Sequence, residues 1–165
     1  MARRVPKDLA WTDLVLDVEN PSCGECGRRM HVRSKRHRHI FSLEGGLHLV
    51  CKLMQCIDSA CPNHQRTFSP ERELALTMPR WSIGWDVFCW LGHRRCARHW
   101  SVPQLRAELL DRFGIPLSED AIEDYLQRYQ CMLAARQQDP TQLKKEALRQ
   151  SCGLSRGEAK AVQDS

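Results

Sequence analysis

The sequence contains no run of about 18 apolar residues, so no membrane-spanning helix is expected. Its first residues, MARRVPKDLAWTDLVLD, lack the apolar core of a secretory signal peptide and include three aspartates. These two absences predict a cytoplasmic protein, and in that compartment thiols stay reduced and disulfides are rare. The many cysteines of the chain therefore need another explanation.

Nine cysteines occur among the 165 residues. Because the count is odd, they could not all be paired in disulfides within one chain. Metal binding explains some of them better, and the others need only be small buried side chains. The length of 165 residues allows one ordinary domain or two small ones. Hydrophobic residues make up 42% of the chain, which is enough for a packed core.

Two cysteine pairs predict the metal site. Cys23 and Cys26 lie in CGECG, and Cys56 and Cys61 follow in CIDSACPNH. Two pairs of thiolates on turns, separated by a β-hairpin, are typical of a zinc ribbon, in which four sulfurs complete the tetrahedral shell of a structural Zn²⁺. We therefore predict one structural Zn²⁺ per chain. A redox dithiol is less favoured, because the flanking residues have no βαβ pattern.

Two further residues compete as metal ligands. Cys51 falls on the apolar face of a predicted strand with Leu49 and Leu53, so it is interpreted as a core residue. His64 lies just past Cys61 and could replace it. The remaining cysteines, which are isolated in the sequence, are Cys89, Cys96, Cys131 and Cys152. Those in predicted helices are most simply packing residues.

The patterns along the chain predict an α+β fold, with a small zinc-ribbon-like β-hairpin module followed by a trihelical, helix-turn-helix-like bundle. A Gly-Gly pair at residues 45–46 supplies the hairpin turn. Ser101 and Ser118 are the predicted N-caps of the second and third helices, and Asp139-Pro140 ends the third. The predicted segments are a short helix or apolar arm (1–20), the zinc-ribbon-like module (21–67), a connector (68–80), the helical domain (81–138) and a polar tail (139–165).

The net charge of +5 is less informative than the positions of the basic residues along the chain. Residues 28–39, RRMHVRSKRHRH, contain six Arg or Lys, three His and no acid. Such a block suits phosphate binding, and an ordinary solvated surface is the alternative. A second basic stretch is HRRCARHW. The candidate nucleic-acid contacts are Arg28, Arg29, Arg33, Lys35, Arg36, Arg38, Arg94, Arg95 and Arg98.

The order of these motifs resembles the N-terminal DNA-binding region of bacterial insertion-sequence transposases. The matching stretches are CGECG, RHRHIFSLEGG, CPN, IGWDVFCWLGHRR and SVPQLRAELLDRFGIPLSEDAIEDYLQRY, within roughly residues 10–138. In that family, a cysteine zinc module is followed by helix-turn-helix segments that grip the ends of the element. The resemblance implies DNA as the partner and a location in the cytoplasm at the nucleoid.

The catalytic part of that family is an RNase H-like domain, in which three acidic residues hold two metal ions. Residues 139–165 have no strand pattern that would place such carboxylates. We therefore expect a recognition module and not an enzyme, with no small-molecule substrate.

The predicted third helix, residues 119–138, begins with an acidic surface. Its four acids favour the helix dipole but repel phosphate: Glu119, Asp120, Glu123 and Asp124. The helix is thus a poor candidate for reading bases in a major groove. It is a better candidate for contact with a protein partner.

Two other functions remain open. In the first, zinc and helices only build the scaffold of a protein-binding adaptor or regulator. In the second, an HNH-type nuclease, the partial match consists of His39-Ile40, the Gly-Gly pair at 45–46 and the spacing of Cys61 and His64. That class normally has an acid or a histidine just before its general-base histidine, whereas Arg38 precedes His39 here.

Overall fold

The chain forms an α+β fold, as the sequence predicted, in which strands precede helices. The computed structural model describes residues 9–138. The predicted tail, Cys152, Asp139-Pro140 and the first eight residues of the predicted arm lie outside the described residues. The elements are β1 (Trp11–Leu16), β2 (His31–Ser42), β3 (Gly45–Gln55), β4 (Thr67–Phe68), α1 (Arg72–Leu76), α2 (Trp85–Arg98), α3 (Val102–Phe113) and α4 (Glu119–Gln138). Among the described residues, no helix combines the length and apolar character needed to cross a membrane.

The strands form one mixed sheet. β2 and β3 make the predicted antiparallel hairpin, with Ser42 paired to Gly45 at its closed end. The predicted turn position is wrong, because residues 43–44 form the turn and the Gly-Gly pair begins β3. β1 lies parallel to β3 on its other side, in a register that pairs Leu16 with Cys51. β4 pairs with the last two residues of β3. For residues 1–20 the sequence predicted a short helix or an apolar arm, whereas residues 11–16 of that segment form a strand.

The two faces of the sheet differ in polarity. One face buries Leu16, Ile40, Leu49 and Cys51, each exposed by 2% or less. Cys51 is therefore a core residue, as the alternation of β3 predicted. Burial, and then the nearby Glu73 carboxylate, raise the pKa of the Cys51 thiol, so this side chain stays neutral in the core.

Helix α1 brings a buried carboxylate to the apolar face of the sheet. The Glu73 side chain is 6% exposed and accepts hydrogen bonds from Arg36 and, at 2.6 Å, from Arg38 Nη1. Arg38 also donates to the carbonyl oxygens of Met78 at 2.9 Å and Trp81 at 2.6 Å. The sequence predicted only a connector here, but this segment fixes two side chains of β2.

The three long helices pack around a second core. Ser101 caps α3 as predicted: its Oγ accepts from Gln104 N, and Gln104 Oε1 accepts from Ser101 N at 2.9 Å. The predicted cap of α4, Ser118, accepts from the next turn in the same way, at 3.3 Å. Helices α2 and α4 approach closely at Gly92, where an added Cβ would lie 2.3 Å from the Tyr129 ring. The buried members of this core are Phe41, Ile83, Val87, Phe88, Leu91, Leu105, Leu109, Ile115, Leu117, Ile122, Tyr125 and Leu126.

Phe41 joins the sheet to the helices. Its side chain belongs to the helical core. Its backbone N–H donates to Ser82 O, and its carbonyl accepts from Gly84 N, both at 2.8 Å. Beside it, Asp86 Oδ2 in the first turn of α2 accepts from Ser42 Oγ and Leu43 N, both at 2.7 Å. The hairpin end is thus held directly on the start of α2.

We predict that Glu73→Gln lowers the free energy of unfolding by about 3 kcal/mol, because it leaves the guanidinium of Arg38 buried without its counter-charge. Urea denaturation of the metal-loaded protein measures the change. The matched control is Glu108→Gln, which removes the exposed α3 pair with Arg112 (3.5 Å) and should cost about 0.5 kcal/mol or less. Equal effects of the two substitutions would contradict a structural role for Glu73.

Candidate metal centre

Four cysteine side chains meet at the end of the sheet away from the hairpin turn. The Sγ atoms of Cys23, Cys26, Cys56 and Cys61 all lie within 4.8 Å of one another. Cys23 and Cys61 are separated by 3.7 Å between sulfurs, and Cys26 and Cys56 by 3.5 Å. These distances are too long for a disulfide, whose sulfurs are about 2.05 Å apart. They approach the edge of about 3.8 Å in a tetrahedron of sulfurs placed about 2.3 Å from a central ion.

A tight turn presents the first pair. Cys23 N donates to Arg28 O at 2.8 Å, and Gly27 N donates to Cys23 O at 2.9 Å. Gly27 has a φ of +69°, a conformation that costs glycine little and other residues more. The turn closes with a bridge between Ser22 and Arg29 and leads into β2. The first cysteine pair is thereby fixed at one end of the hairpin.

The second pair follows β3 directly. Cys56 comes just after the last residue of the strand and is fully buried, and Cys61 is 7% exposed. Cys61 N donates to Asp58 O at 3.1 Å, which bends the chain back toward the first pair. Val18, Met30 and Met54 pack around the sulfurs. Three of the four cysteines are therefore shielded from solvent and Cys26 is half-buried, which fits a closed structural site.

The electrostatics of the centre favour a bound cation. Backbone N–H groups of Cys26 and Glu25 lower the pKa of Cys23 to about 6, so this thiol is ionised at neutral pH. At Cys61 the N–H of Asn63 acts in the same direction, but burial and the neighbouring thiols raise its pKa to about 12 overall. A divalent ion would supply the positive charge that lets all four sulfurs ionise together.

His64, the alternative ligand, is not part of the four-sulfur group. Its Nδ1 lies 3.1 Å from the carbonyl oxygen of Cys56, and because a carbonyl can only accept, Nδ1 is the donor. Its backbone N–H donates to Cys61 O at 2.9 Å. His64 therefore braces the backbone of two cysteines. Asn63 Nδ2, which the sequence did not single out, lies 3.7 Å from Cys23 Sγ.

The candidate phosphate contacts on β2 divide into free and paired side chains. Arg29, Arg33 and Lys35 are exposed and have no ion-pair partner within residues 9–138. Arg33 sits at an irregularity in the pairing of β2 with β3. Arg36 and Arg38 are held by Glu73, and Arg38 is only 13% exposed. The guanidinium of Arg38 is thus not available to a phosphate.

The other candidate cations differ in what they contact. Arg28 forms an exposed ion pair with Asp58 at 3.4 Å. The guanidinium of Arg94 lies 4.9 Å from the Trp100 ring centroid and 5.5 Å from that of Trp90. Arg95 donates to the carbonyl of Trp100 at 2.8 Å. Arg98, at the end of α2, is exposed.

His39, the candidate base of the nuclease alternative, lies on the outer sheet face. Its ring stacks on His48 at a centroid distance of 4.7 Å and meets Trp11 edge-on at 5.1 Å. Burial, followed by the charges of His48 and His37, lowers its pKa. Arg38 points to the opposite face and binds Glu73. This environment fixes the imidazole by packing.

No family model matches this chain, and neither a curated protein nor a solved structure matches it.

Removing the metal from the reduced full chain should expose the backbone of the cysteine turns, because the ion is expected to contribute on the order of 10 kcal/mol to this small module. Hydrogen–deuterium exchange with and without a chelator measures the change. We expect lost protection in residues 21–30 and 54–68. Unchanged protection in both segments would contradict a structural metal site.

Cys56→Ser should abolish stoichiometric metal binding, since a hydroxyl is a poor replacement for one of four thiolates. Native mass spectrometry of the full chain gives the metal content. The matched control is Cys89→Ser. Cys89 and Cys131, predicted from the sequence to be packing residues, are both exposed on their helices, so this substitution should leave the metal content unchanged. Retention of the ion by the Cys56 variant would show that the four sulfurs do not act together.

Proposed function

We propose that the protein is a zinc-dependent DNA-binding module. In this proposal Zn²⁺ occupies the four-cysteine centre of a zinc-ribbon-like hairpin, and α2, α3 and α4 form a helix-turn-helix-like unit. The module would correspond to the end-recognition part of an insertion-sequence transposase and act at the nucleoid. It would bind DNA without cutting it.

The single observation that supports this proposal most is the free basic strand beside the centre. The four cysteines join the start of β2 to the end of β3 at the open end of the hairpin, so β2 is presented as a fixed edge of the sheet. Arg29, Arg33 and Lys35 lie on or just before this edge with no carboxylate partner among the described residues. Fixed, unneutralised cations are what a phosphate backbone attracts, since each contact releases a condensed counterion.

The placement of the helices fits a supporting role better than base reading. The α4 N-terminus carries exposed carboxylates at Glu119, Asp120, Glu123 and Asp124. These groups would oppose entry of that end into a groove lined with phosphates. We therefore assign the main phosphate contacts to the β2 edge, with Arg98 as an additional contact.

A protein-binding adaptor is the second candidate, and one observation favours it. The last turns of α4 lie beyond the helical core, with Met132 47% and Leu133 36% exposed. Exposed apolar side chains next to each other can dock on another protein. The DNA-binding experiment distinguishes the two functions, because the adaptor has no reason to bind DNA in a strongly salt-dependent way.

The double variant Arg33→Ala/Lys35→Ala should weaken binding to duplexes of any sequence, and the slope of log K against log salt should become shallower by about 2 units, about 0.9 per lost phosphate contact. Fluorescence anisotropy of the zinc-loaded full chain over a range of NaCl concentrations measures both quantities.

The matched control removes the same charge elsewhere. Arg112→Ala/Arg128→Ala changes two arginines that already face a carboxylate within their own helices, at 3.5 and 3.8 Å. We expect nearly normal affinity and slope. Equal losses in both double variants would contradict the assignment to β2, and absence of DNA binding by the unmodified protein would overturn the proposed function.

A further inference from the structure

Three histidines gather on the sheet face opposite the apolar core, far along the hairpin from the cysteines. We call His37, His39 and His48 the histidine cluster. His48 on β3 is paired directly with His39 on β2, and Asp13 on β1 is paired with His48 from the other side. The sheet therefore places the Asp13 carboxylate of β1, the His48 imidazole of β3 and the His39 imidazole of β2 in one row.

Asp13 fixes the orientation and the proton position of His48. The Oδ1 atom of Asp13 lies 2.7 Å from His48 Nδ1. An ionised carboxylate can only accept, so Nδ1 of His48 carries the hydrogen and its Nε2 keeps a lone pair. The parallel stacking of His39, at an interplanar angle of 12°, holds the plane of the same ring. His48 is thus preorganised with the lone pair of Nε2 directed at His37.

A second imidazole nitrogen lies opposite that lone pair. His37 Nδ1 is 3.1 Å from His48 Nε2. Two nitrogens bound tetrahedrally to one ion at about 2.0–2.1 Å would be about 3.3 Å apart. The observed separation is about 0.2 Å shorter than that spacing. Without an ion, Nδ1–H of His37 donates to Nε2 of His48.

We propose that His48 Nε2 and His37 Nδ1 form a second, exchangeable binding site for a divalent transition-metal ion such as Zn²⁺ or Ni²⁺. A histidine that donates its other ring N–H to a carboxylate is the usual environment of a metal-ligating imidazole, and imidazole suits both ions. On binding, the ion replaces the shared hydrogen, and the proton of His37 moves from Nδ1 to Nε2 through solvent. Both imidazoles stay neutral, so the step balances.

This site is more exposed to solvent than the cysteine centre. The His48 side chain is 25% exposed and Asp13 is 78% exposed, and His37 is also exposed. The described residues supply two nitrogen ligands, so water completes the shell. We therefore expect reversible binding that leaves the fold unchanged, in contrast with the buried sulfur site.

Calorimetric titration of Ni²⁺ into the full chain, already holding one zinc per chain under reducing conditions, tests the proposal. The unmodified protein should take up one further ion, and His48→Ala should abolish that uptake. Asp13→Asn keeps the shape of the side chain but weakens the hydrogen bond, and we expect about 10- to 100-fold weaker binding. The control is His31→Ala. His31 lies on β2 with His37 but outside the histidine cluster, so this variant should bind the second ion normally.

Two outcomes would overturn the site. One is the absence of a second ion in the unmodified protein, and the other is full uptake by the His48 variant with an unchanged zinc content. Circular dichroism of each variant confirms the fold. Because the readout is metal uptake at histidines, the result is independent of DNA binding.

Discussion

The meeting of four sulfur atoms is the constraint on which the strand-rich half of the structure depends. Cys23 and Cys26 precede β2, and Cys56 and Cys61 follow β3. Holding these pairs together joins the two strands at the open end of the hairpin, opposite its turn. The few apolar side chains around the sulfurs form a small cluster, so a bound ion would supply much of the stability at this end.

Contacts at the turn end of the hairpin connect the sheet to the helices. At the far end of the hairpin, Phe41 enters the helical core and Asp86 holds the turn by two hydrogen bonds. Between the two ends, Glu73 fixes Arg36 and Arg38 on one side of β2. The same strand thus has a neutralised side and a free basic edge. The carboxylate of Glu73 makes this division, because it pairs with Arg36 and Arg38 and leaves the cations of the edge without a counter-charge.

Local signals explain what could be predicted from the sequence. The paired cysteines, the Gly-Gly pair beside the hairpin turn and the capping serines each act over a few residues, so the cysteine cluster, hairpin and helix starts were predictable. β1 and the role of Glu73 were not, because their partners are remote: Glu73 lies 37 residues from Arg36. Asp13 and His48 are likewise 35 residues apart. The Asp13–His48 contact depends on the parallel pairing of β1 with β3, and the Glu73–Arg36 contact on the placement of α1 against β2. Neither arrangement leaves a mark at one position of the sequence alone.

Zinc-edge X-ray absorption of the reduced full chain, holding one zinc per chain, measures whether the four cysteines bind one ion together. We predict a first shell of four sulfur atoms at about 2.3 Å. A shell containing nitrogen or oxygen in place of these sulfurs would contradict it, because the ion would then not be held by the four cysteines.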